Sequence, residues 1–393
     1  MSTFFILMDA MRSDYISKNT TPFLWQCGRG GEYYQRVIPN FGFCERTEIL
    51  TGQTPKESGF FTALGYNPDQ SPFRKIDNIK YLSIMQSVVP NINIPILPKG
   101  GNLPNICRKL INRYIIKKVH ISPQNIPLHL LPYWSLTEDA IDHRDPKAFQ
   151  VPSILELLDS AGKKYFYDAF TALNLPFSGT DFDRLNMVLK HKKSDNAEFY
   201  LIYVSSPDYF GHEFGPESIE IVEANKELDS TLKGFTNDLM KFDPESNFIF
   251  LGDHGMAEVT KYIDLEKHIL NVAKQNNFKI EKDFLYFLDS TLVRMWFFND
   301  HCKQVFISFF KKSLELNDNG VLIDKLIAER ENIPWGDKRY GDLLWWANTG
   351  VLIFPDFFHR EKKYKGMHGY DVSLKENNGF CIVRGSKALN RMQ

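Results

Sequence analysis

Carboxylate and imidazole side chains that could bind metal ions recur in four short motifs of the sequence. Carboxylate oxygens and imidazole nitrogens are ligands that zinc accepts in catalytic sites, which keep a position open for water or substrate. Two ions a few ångströms apart stabilise both the attacking and the leaving oxygen of an in-line displacement at phosphorus. The candidate ligands, which are enough for two ions, are Asp9, Asp208, His212, Asp253, His254 and His368.

These side chains follow apolar segments that read as buried parallel strands alternating with helices. The clearest helical pattern spans 218–242, where apolar residues recur on one face. Strands and helices in alternation predict an α/β fold with a mostly parallel central sheet sandwiched by helices. Ligands bind beyond the carboxyl ends of such strands, so the carboxylates should converge. The predicted strands are Thr3–Met8, Lys164–Tyr167, Phe199–Val204, Asn247–Leu251 and Gly350–Phe354.

Two segments interrupt this alternation. The first, about residues 66–149, is rich in proline, and the second, about residues 261–341, is rich in aromatic residues. We interpret residues 1–393 as a single catalytic domain in which both segments are insertions that form a cap over the sheet edge.

The composition favours a small substrate in a reducing compartment. The formal net charge of -1 lacks the basic footprint of a protein that binds nucleic acid. The five cysteines are scattered and form no CxxC pair, which argues against a disulfide framework and predicts a cytoplasmic protein. The N-terminal apolar run is too short for a signal peptide or a membrane span, so it is expected to be the first strand.

The motifs MDAMRSDY, FGFCERTEILTG, SSPDYFGHEFGP, LGDHGM and GMHGYD occur in this order along the chain. Together they resemble the alkaline phosphatase superfamily, in particular its type I phosphodiesterase/nucleotide pyrophosphatase branch. The resemblance implies an alkaline phosphatase-like fold and cleavage of a phosphodiester or phosphoanhydride bond. The implied substrate is a small phosphorylated molecule: a nucleotide, a sugar nucleotide or a lipid-linked phosphate.

The resemblance also implies two divalent metal ions, with zinc expected. It assigns one ion to Asp208, His212 and His368. The other ion is assigned by the same matching to Asp9, Asp253 and His254.

Other activities of the same superfamily fit the sequence less well. A sulfatase needs a modified cysteine or serine followed by proline and arginine, but Gly42 stands at the modified position and Cys44 replaces the proline. Phosphomonoesterases and phosphomutases with the same metal core remain alternatives. A non-catalytic relative that binds a phosphorylated ligand is the competing interpretation from another class.

The nucleophile of the family has no obvious counterpart here. Counting back from Gly52 places it on Gly42, which has no side chain. Cys44 lies in the first turn of the following helix, where the helix dipole and a nearby zinc would lower the thiol pKa. Direct attack by metal-bound hydroxide, with the Gly42 N–H group binding a phosphoryl oxygen, is the equal alternative. Asn40 is expected to bind the phosphate by hydrogen bonds, and Thr47 to pack.

A basic amphipathic segment, ICRKLINRYIIKKVH at residues 106–120, has two interpretations. It is typical of a cap helix with a solvated face, and it also fits peripheral contact with an anionic membrane. In either case Ile106, Leu110, Tyr114 and Ile115 are expected to face away from the basic side chains.

Overall fold

The computed structural model describes residues 1–76, 79, 81–82, 110–115, 125–138, 141–168, 179–195 and 197–385. Strands in these residues form one large central sheet, a second sheet and three small strand pairs. The strands are β1 (Thr3–Met8), β2 (Glu32–Val37), β3 (Leu64–Tyr66), β4 (Trp134–Leu136), β5 (Tyr165–Tyr167), β6 (Phe199–Val204), β7 (Asn247–His254), β8 (Ala257–Glu258), β9 (Lys261–Ile263), β10 (Phe284–Leu288), β11 (Leu292–Phe297), β12 (Gly320–Leu322), β13 (Leu343–Ala347), β14 (Val351–Ile353), β15 (Gly366–Met367) and β16 (Asn378–Arg384).

Helices connect most of these strands. Several begin with a side-chain cap, as where the Ser218 hydroxyl accepts a hydrogen bond from the Ile221 N–H group at 3.2 Å. The α-helices are Pro22–Arg29, Glu45–Thr51, Pro55–Ser58, Ile154–Ser160, Asp181–Ser194, Ser206–Phe214, Ile219–Phe242, Leu265–Gln275, Asp300–Lys312, Leu314–Asn319 and Lys325–Arg330. Short 3₁₀ helices are Ser13–Tyr15, Leu128–Tyr133 and Lys375–Asn377.

The central sheet has the strand order β2-β16-β7-β1-β6-β5. Strand β1 is parallel to both β6 and β7, and β5 is parallel to β6. Only β16, the last strand, runs antiparallel to its neighbours β7 and β2. The mostly parallel α/β architecture predicted from the sequence is confirmed.

The helix Ile219–Phe242 covers one face of this sheet. Its apolar stripe, which includes Leu228, Leu232 and Leu239, is buried in the same core as Phe4 and Phe250 of the sheet. The apolar side chains of β1 and β7 alternate between this core and a core on the opposite face, so both faces are covered. This packing holds the carboxyl ends of the central strands in fixed relative positions.

One predicted strand does not belong to the central sheet. The run at 350–354 forms β14, which pairs in parallel with β9 in a separate two-stranded sheet rather than joining the central sheet. A short apolar run does not reveal its partner, because the pairing depends on residues far away in the sequence. The prediction of a strand here is confirmed, and its placement in the central sheet is wrong.

The two segments interpreted as insertions share one hydrophobic core. The second sheet, in the order β10-β11-β13-β12, is antiparallel and lies largely within the later segment. Trp134 of the earlier segment stacks edge-on against Phe287 of that sheet, with ring centroids 5.1 Å apart. The described parts of the two segments therefore pack as one layer.

Only part of the basic segment falls within the described residues, namely 110–115. Ile111 and Ile115 are buried in the same core as the second sheet, whereas Leu110 is 61% exposed. The expectation that Leu110 belongs to the apolar face is wrong. The remaining residues of the basic segment, including Ile106, lie outside the described residues. No helix among the described residues has both the length and the apolar character to cross a membrane.

Candidate metal centre

The parallel pairing of β1 with β7 brings the first carboxylates together. Met8 is in register with Gly252, so Asp9 and Asp253, the next residue of each strand, end up side by side. The Asp253 carboxylate accepts hydrogen bonds from the backbone N–H groups of Ala10 at 3.1 Å and His254 at 2.8 Å. These bonds fix the orientation of Asp253 at the sheet edge.

The helix Ser206–Phe214 contributes two side chains from the neighbouring strand end. It begins two residues after β6, and Asp208 and His212 are four residues apart on it, which places them on the same face. Nε2 of His212 lies 3.1 Å from Oδ1 of Asp208. The spacing in the sequence therefore corresponds to a real pair in the structure.

Glycines allow the segment carrying His368 to approach this helix. A Cβ atom on Gly366 would lie 2.4 Å from the Gly211 carbonyl oxygen, and one on Gly211 would lie 2.5 Å from Sδ of Met256. A side chain on Gly366 would collide with backbone, and one on Gly211 would require the Met256 side chain to move. This close packing brings His368, which directly follows β15, to the Asp208 carboxylate with Nε2 and Oδ1 3.8 Å apart.

The six predicted ligands form two adjoining groups of three. In each group, one ligand atom from every member lies within 4.8 Å of the others. The groups meet where the rings of His254 and His368 stack, with centroids 4.1 Å apart. The first group is Asp208, His212 and His368, and the second is Asp9, Asp253 and His254. The structure thus brings together the same residues that the resemblance assigned to each ion.

Backbone carbonyls orient two of the imidazoles. Nδ1 of His212 is 2.8 Å from the Gly366 carbonyl oxygen, and Nδ1 of His254 is 2.9 Å from the Gly255 carbonyl oxygen. A histidine whose Nδ1–H group donates to a carbonyl presents Nε2 as the free ligand atom. Both Nε2 atoms point toward the carboxylates of their groups.

A hydrogen bond from Tyr203 orients the Asp9 carboxylate. The buried Tyr203 hydroxyl donates a hydrogen bond to Oδ2 of Asp9, which leaves Oδ1 facing Nε2 of His254 at 3.3 Å. The guanidinium carbon of Arg184 lies 5.2 Å from the centre of the tyrosine ring. The backbone N–H group of Tyr203 donates to Asp168 at 2.8 Å, so the strand and its side chain are both held in place.

The protonation behaviour of the cluster shows how strongly these groups interact. Burial raises the pKa of Asp253 to about 7, and burial with the nearby Asp208 charge raises the pKa of Asp9. The pKa of His254 lies well above its ordinary value, because the charges of Asp253 and Asp9 outweigh the opposing effect of burial. Burial and the neighbouring imidazolium charges lower the pKa of His368.

The donor set fits divalent cations. Oδ1 of Asp208 is buried, faces two imidazole nitrogens and has no hydrogen-bond partner of good geometry among the described residues. Each group supplies three protein ligands, the number that catalytic zinc sites use while keeping a position open. The mixture of imidazole and carboxylate donors suits zinc and excludes the all-oxygen surroundings that calcium and magnesium prefer.

Gly42, the position of the missing nucleophile, has no space for a side chain. Its φ angle is +137°, and a Cβ atom there would lie 2.5 Å from the Phe61 carbonyl oxygen. The neighbouring Phe43 N–H group donates a hydrogen bond to that same oxygen at 2.8 Å. The backbone is therefore built around a glycine, and a hydroxyl-bearing residue would not fit without movement of this turn.

The predicted lowering of the Cys44 pKa is wrong. Burial raises the pKa of its thiol well above the ordinary value, and the charges of Glu138 and Glu45 raise it further. The sulfur lies 3.7 Å from the Thr137 hydroxyl in the interior and belongs to neither group of metal ligands. Cys44 was expected within the first turn but is the N-cap residue that directly precedes the helix Glu45–Thr51, and its side chain is buried in the protein.

Asn40 and Thr47 take part in structural hydrogen bonds. The Asn40 amide donates to Glu48 at 2.6 Å, and its carbonyl oxygen accepts from Asn332 at 3.1 Å. Thr47 donates from its hydroxyl to Glu138 at 2.6 Å. The role of Asn40 in phosphate binding stays a prediction, whereas the packing role of Thr47 agrees with these contacts.

Glu45 is a site residue that the sequence reasoning missed. One of its carboxylate oxygens and ring nitrogens of His254 and His368 all lie within 4.8 Å of one another. Burial raises the pKa of Glu45 to about 8. A carboxylate next to Cys44 in the first turn was visible in the sequence, but only the fold shows that residue 45, rather than 44, faces the metal ligands.

Comparisons with known proteins found one matching family and several relatives. A model of the type I phosphodiesterase/nucleotide pyrophosphatase family matches residues 3–371. Venom phosphodiesterase CdcPDE from Crotalus durissus collilineatus is 26% identical over 238 residues, covering 54% of this chain and 25% of that protein. Alkaline phosphatase PafA from Elizabethkingia meningoseptica is 33% identical over 97 residues, 23% of this chain and 18% of that protein. The chain spans about a quarter of the length of the venom phosphodiesterases it matches.

Solved structures share the fold. Murine ectonucleotide pyrophosphatase/phosphodiesterase 5 superposes with a TM-score of 0.65 at 17% identity, covering 98% of this chain and 88% of that one. An inactive variant of that murine protein, similar to the same extent, has been solved in complex with AMP. The alkaline phosphatase-like fold expected from the sequence is thereby confirmed.

Proposed function

Since the chain belongs to the type I phosphodiesterase/nucleotide pyrophosphatase family, we propose that it hydrolyses a phosphodiester or phosphoanhydride bond with two divalent metal ions. The observation that carries this proposal is the pair of adjoining three-ligand groups at the strand ends. Two bound cations would supply charge neutralisation at the phosphoryl oxygens and at the leaving oxygen. Such a site has no evident use in a protein that only binds a ligand.

We propose zinc as the metal at both sites. One ion would be held by Asp208, His212 and His368 through one carboxylate and two imidazoles. The second would be held by two carboxylates and one imidazole, those of Asp9, Asp253 and His254. Both donor sets are of the kind found in catalytic zinc centres, and the carbonyl groups that orient His212 and His254 support the same choice.

The protein's own residues determine where the substrate can lie. The stacked rings of His254 and His368 mark the junction of the two groups, so a phosphoryl group would be bound over this junction. Phe43 lies beside it, with its ring centroid 6.0 Å from that of His368, and offers an apolar surface for the group attached to phosphorus. Tyr203 would keep Asp9 in its ligating orientation throughout.

We propose a nucleotide or nucleotide derivative as the substrate class. Membership of a nucleotide pyrophosphatase family and the AMP complex of the murine structural relative support this choice. Sugar nucleotides share the same phosphoanhydride, and they belong in the same assay. A lipid-linked phosphate presented at a membrane is less favoured, because the described apolar residues Ile111 and Ile115 are buried in the protein core.

We also propose that the protein works in a reducing compartment, the cytoplasm. Cys27, Cys44 and Cys302 are free and buried, and Cys381 is free and partly buried. Free thiols in the core need no oxidising environment, which supports the proposal. Fractionation of cells producing the protein, with thiol labelling of each fraction, would test it.

The proposed activity can be tested on the purified chain by measuring metal content and hydrolysis together. We expect about two zinc ions per chain, by elemental analysis, and hydrolysis of bis(p-nitrophenyl) phosphate that a chelator removes and zinc restores. A panel of dinucleotides, nucleotide sugars and p-nitrophenyl phosphate would separate diesters and anhydrides from monoesters. Bound zinc without turnover of any member would contradict the proposal and favour a non-catalytic relative.

A further inference from the structure

The carboxylate of Glu45 lies at the junction of the two metal-ligand groups. It is grouped with His254, which belongs to one set of ligands, and with His368, which belongs to the other. The two imidazoles stack at 4.1 Å, so the Glu45 carboxylate lies where the two ligand groups meet. A phosphoryl group held over this junction would be next to the Glu45 carboxylate.

The two metal-ligand groups are complete without Glu45. Each already contains three protein ligands, which is the usual number in catalytic zinc sites, and the remaining coordination position is the one that reacts. Glu45 is a seventh side chain and the fourth carboxylate at this centre, so it is placed like a reacting group rather than like a structural ligand. Resting on the proposed function, we propose that Glu45 is the nucleophile that attacks phosphorus.

The neighbouring side chains are unsuited to this role. Gly42 has no side chain and no space for one. The Cys44 sulfur lies in the interior against Thr137, and the Thr47 hydroxyl donates to Glu138. Glu45 is partly exposed, and among residues 40–47 it is the one whose carboxylate lies close to the metal-ligating imidazoles of His254 and His368.

The reaction would proceed by two displacements at phosphorus. In the first, a Glu45 carboxylate oxygen forms a bond to phosphorus while the bond to the leaving oxygen breaks, which gives a mixed carboxylic–phosphoric anhydride. The leaving oxygen departs with the bonding electron pair and takes a proton from water. In the second, a water oxygen attacks phosphorus and loses its proton to solvent, the bond to the Glu45 oxygen breaks, and the free carboxylate and a phosphomonoester are released.

The direct test is to trap the covalent intermediate on the zinc-loaded protein. After rapid acid quenching of a reaction with bis(p-nitrophenyl) phosphate, mass spectrometry of the peptide containing Glu45 should show a nitrophenyl-phosphoryl adduct on that residue. Hydroxylamine should remove the adduct, as it does for any acyl phosphate. Glu45→Gln should abolish the adduct and lower turnover by about 10³-fold or more while bound zinc stays at the wild-type level.

Glu48→Gln is the matched control. Glu48 lies on the same helix and belongs to neither group of metal ligands. It accepts two hydrogen bonds from Asn40, of which an amide oxygen keeps one. This variant should retain the adduct on Glu45 and the wild-type zinc content. An adduct on another residue of the wild-type protein would overturn the assignment. Loss of zinc from Glu45→Gln, together with direct attack by water in the wild type, would also overturn it.

Stereochemistry at phosphorus provides an independent measurement. With a phosphorothioate diester of known configuration and ¹⁸O-labelled water, two displacements give net retention, whereas direct attack by water gives net inversion. Retention is expected. Hydrolysis with inversion would reject Glu45 as the nucleophile and leave the proposed hydrolase function standing, whereas absence of hydrolysis by the wild-type protein would contradict the function itself.

Discussion

The strand-end metal centre and the segment of residues 40–51 differ in what fixes their side chains. In the metal centre, side chains such as Asp9 and Asp253 lie at the carboxyl ends of paired strands, and strand register places them. In residues 40–51, contacts with residues elsewhere in the chain matter more: the Phe61 carbonyl leaves no space for a side chain at Gly42, and Cys44 lies against Thr137. The first kind of site can be found from motifs, and the second depends on packing.

Loss of a ligand from the metal centre should have the largest effect. Asp208→Ala removes a carboxylate that faces two imidazoles, and a zinc ion with two remaining protein ligands is poorly held. We expect loss of about one zinc per chain and a fall in turnover of about 10³-fold. Elemental analysis and the nitrophenyl ester assay measure both.

Asp238→Ala serves as the control for that variant, because Asp238 lies on an exposed helix face and forms an ion pair with Lys241 of the same helix. It should leave zinc content and turnover as in the wild type. Unchanged zinc in Asp208→Ala would show that this ligand group is assigned incorrectly.

Introducing a hydroxyl-bearing side chain at residue 42 should destabilise the segment of residues 40–51 rather than increase activity. Gly42→Thr places a Cβ atom against the Phe61 carbonyl at a φ of +137°, so we expect a loss of about 2–4 kcal/mol in the free energy of unfolding. Turnover should not rise. Urea unfolding followed by fluorescence measures the change.

Gly234→Ala is the matched control for the glycine substitution, because a Cβ atom on Gly234 meets nothing within 4 Å in the middle of a helix. This change should stabilise the protein by about 0.5–1 kcal/mol. If Gly42→Thr were as stable as the wild type and more active, the backbone at Gly42 would not be what excludes a nucleophile there.

Tyr203→Phe tests whether the metal centre depends on packing as well as on register. The change removes the hydrogen bond to Asp9 but keeps the ring beside Arg184. We expect zinc affinity at one site to fall about tenfold, measured by competition with a chromophoric chelator.

Tyr200 lies on the same strand and donates its hydroxyl to the Asp195 carbonyl, away from the metal ligands. Tyr200→Phe should therefore lower stability without altering zinc affinity. Equal zinc affinity in the Tyr203→Phe variant and the wild type would mean that strand register alone positions Asp9.

Cys44→Ala should have the smallest effect on catalysis. The buried thiol belongs to no ligand group, so turnover should stay within about twofold of the wild type. Stability should fall by about 1 kcal/mol, because a small buried group is lost. Initial rates at saturating zinc measure the effect on catalysis. A large loss of turnover with both zinc ions retained would show that the Cys44 thiol takes part in the reaction.

Many strands and helices could be predicted because local sequence patterns indicate where they begin and end. The runs forming β1 and β6 have the predicted bounds, and the helix Ile219–Phe242 starts one residue after its predicted first residue, which is the cap. Continuous apolar runs and a regular helical stripe depend on nearest neighbours alone. The pairing of β14 with β9 depends on residues far apart in the sequence, and the prediction placed that strand in the wrong sheet.

The sequence by itself determined which residues could bind metal and, through the motif resemblance, how they divide between two groups. Carboxylates at the ends of parallel strands must converge, so types and spacing suffice for them, whereas His368 reaches them through the close packing of Gly366 on Gly211. Only the tertiary structure decided which side chain of the helix Glu45–Thr51 reaches them. A turn of helix points successive side chains about 100° apart, and whether Cys44 or Glu45 faces the metal ligands depends on how distant residues such as Thr137 and Glu138 pack against that helix.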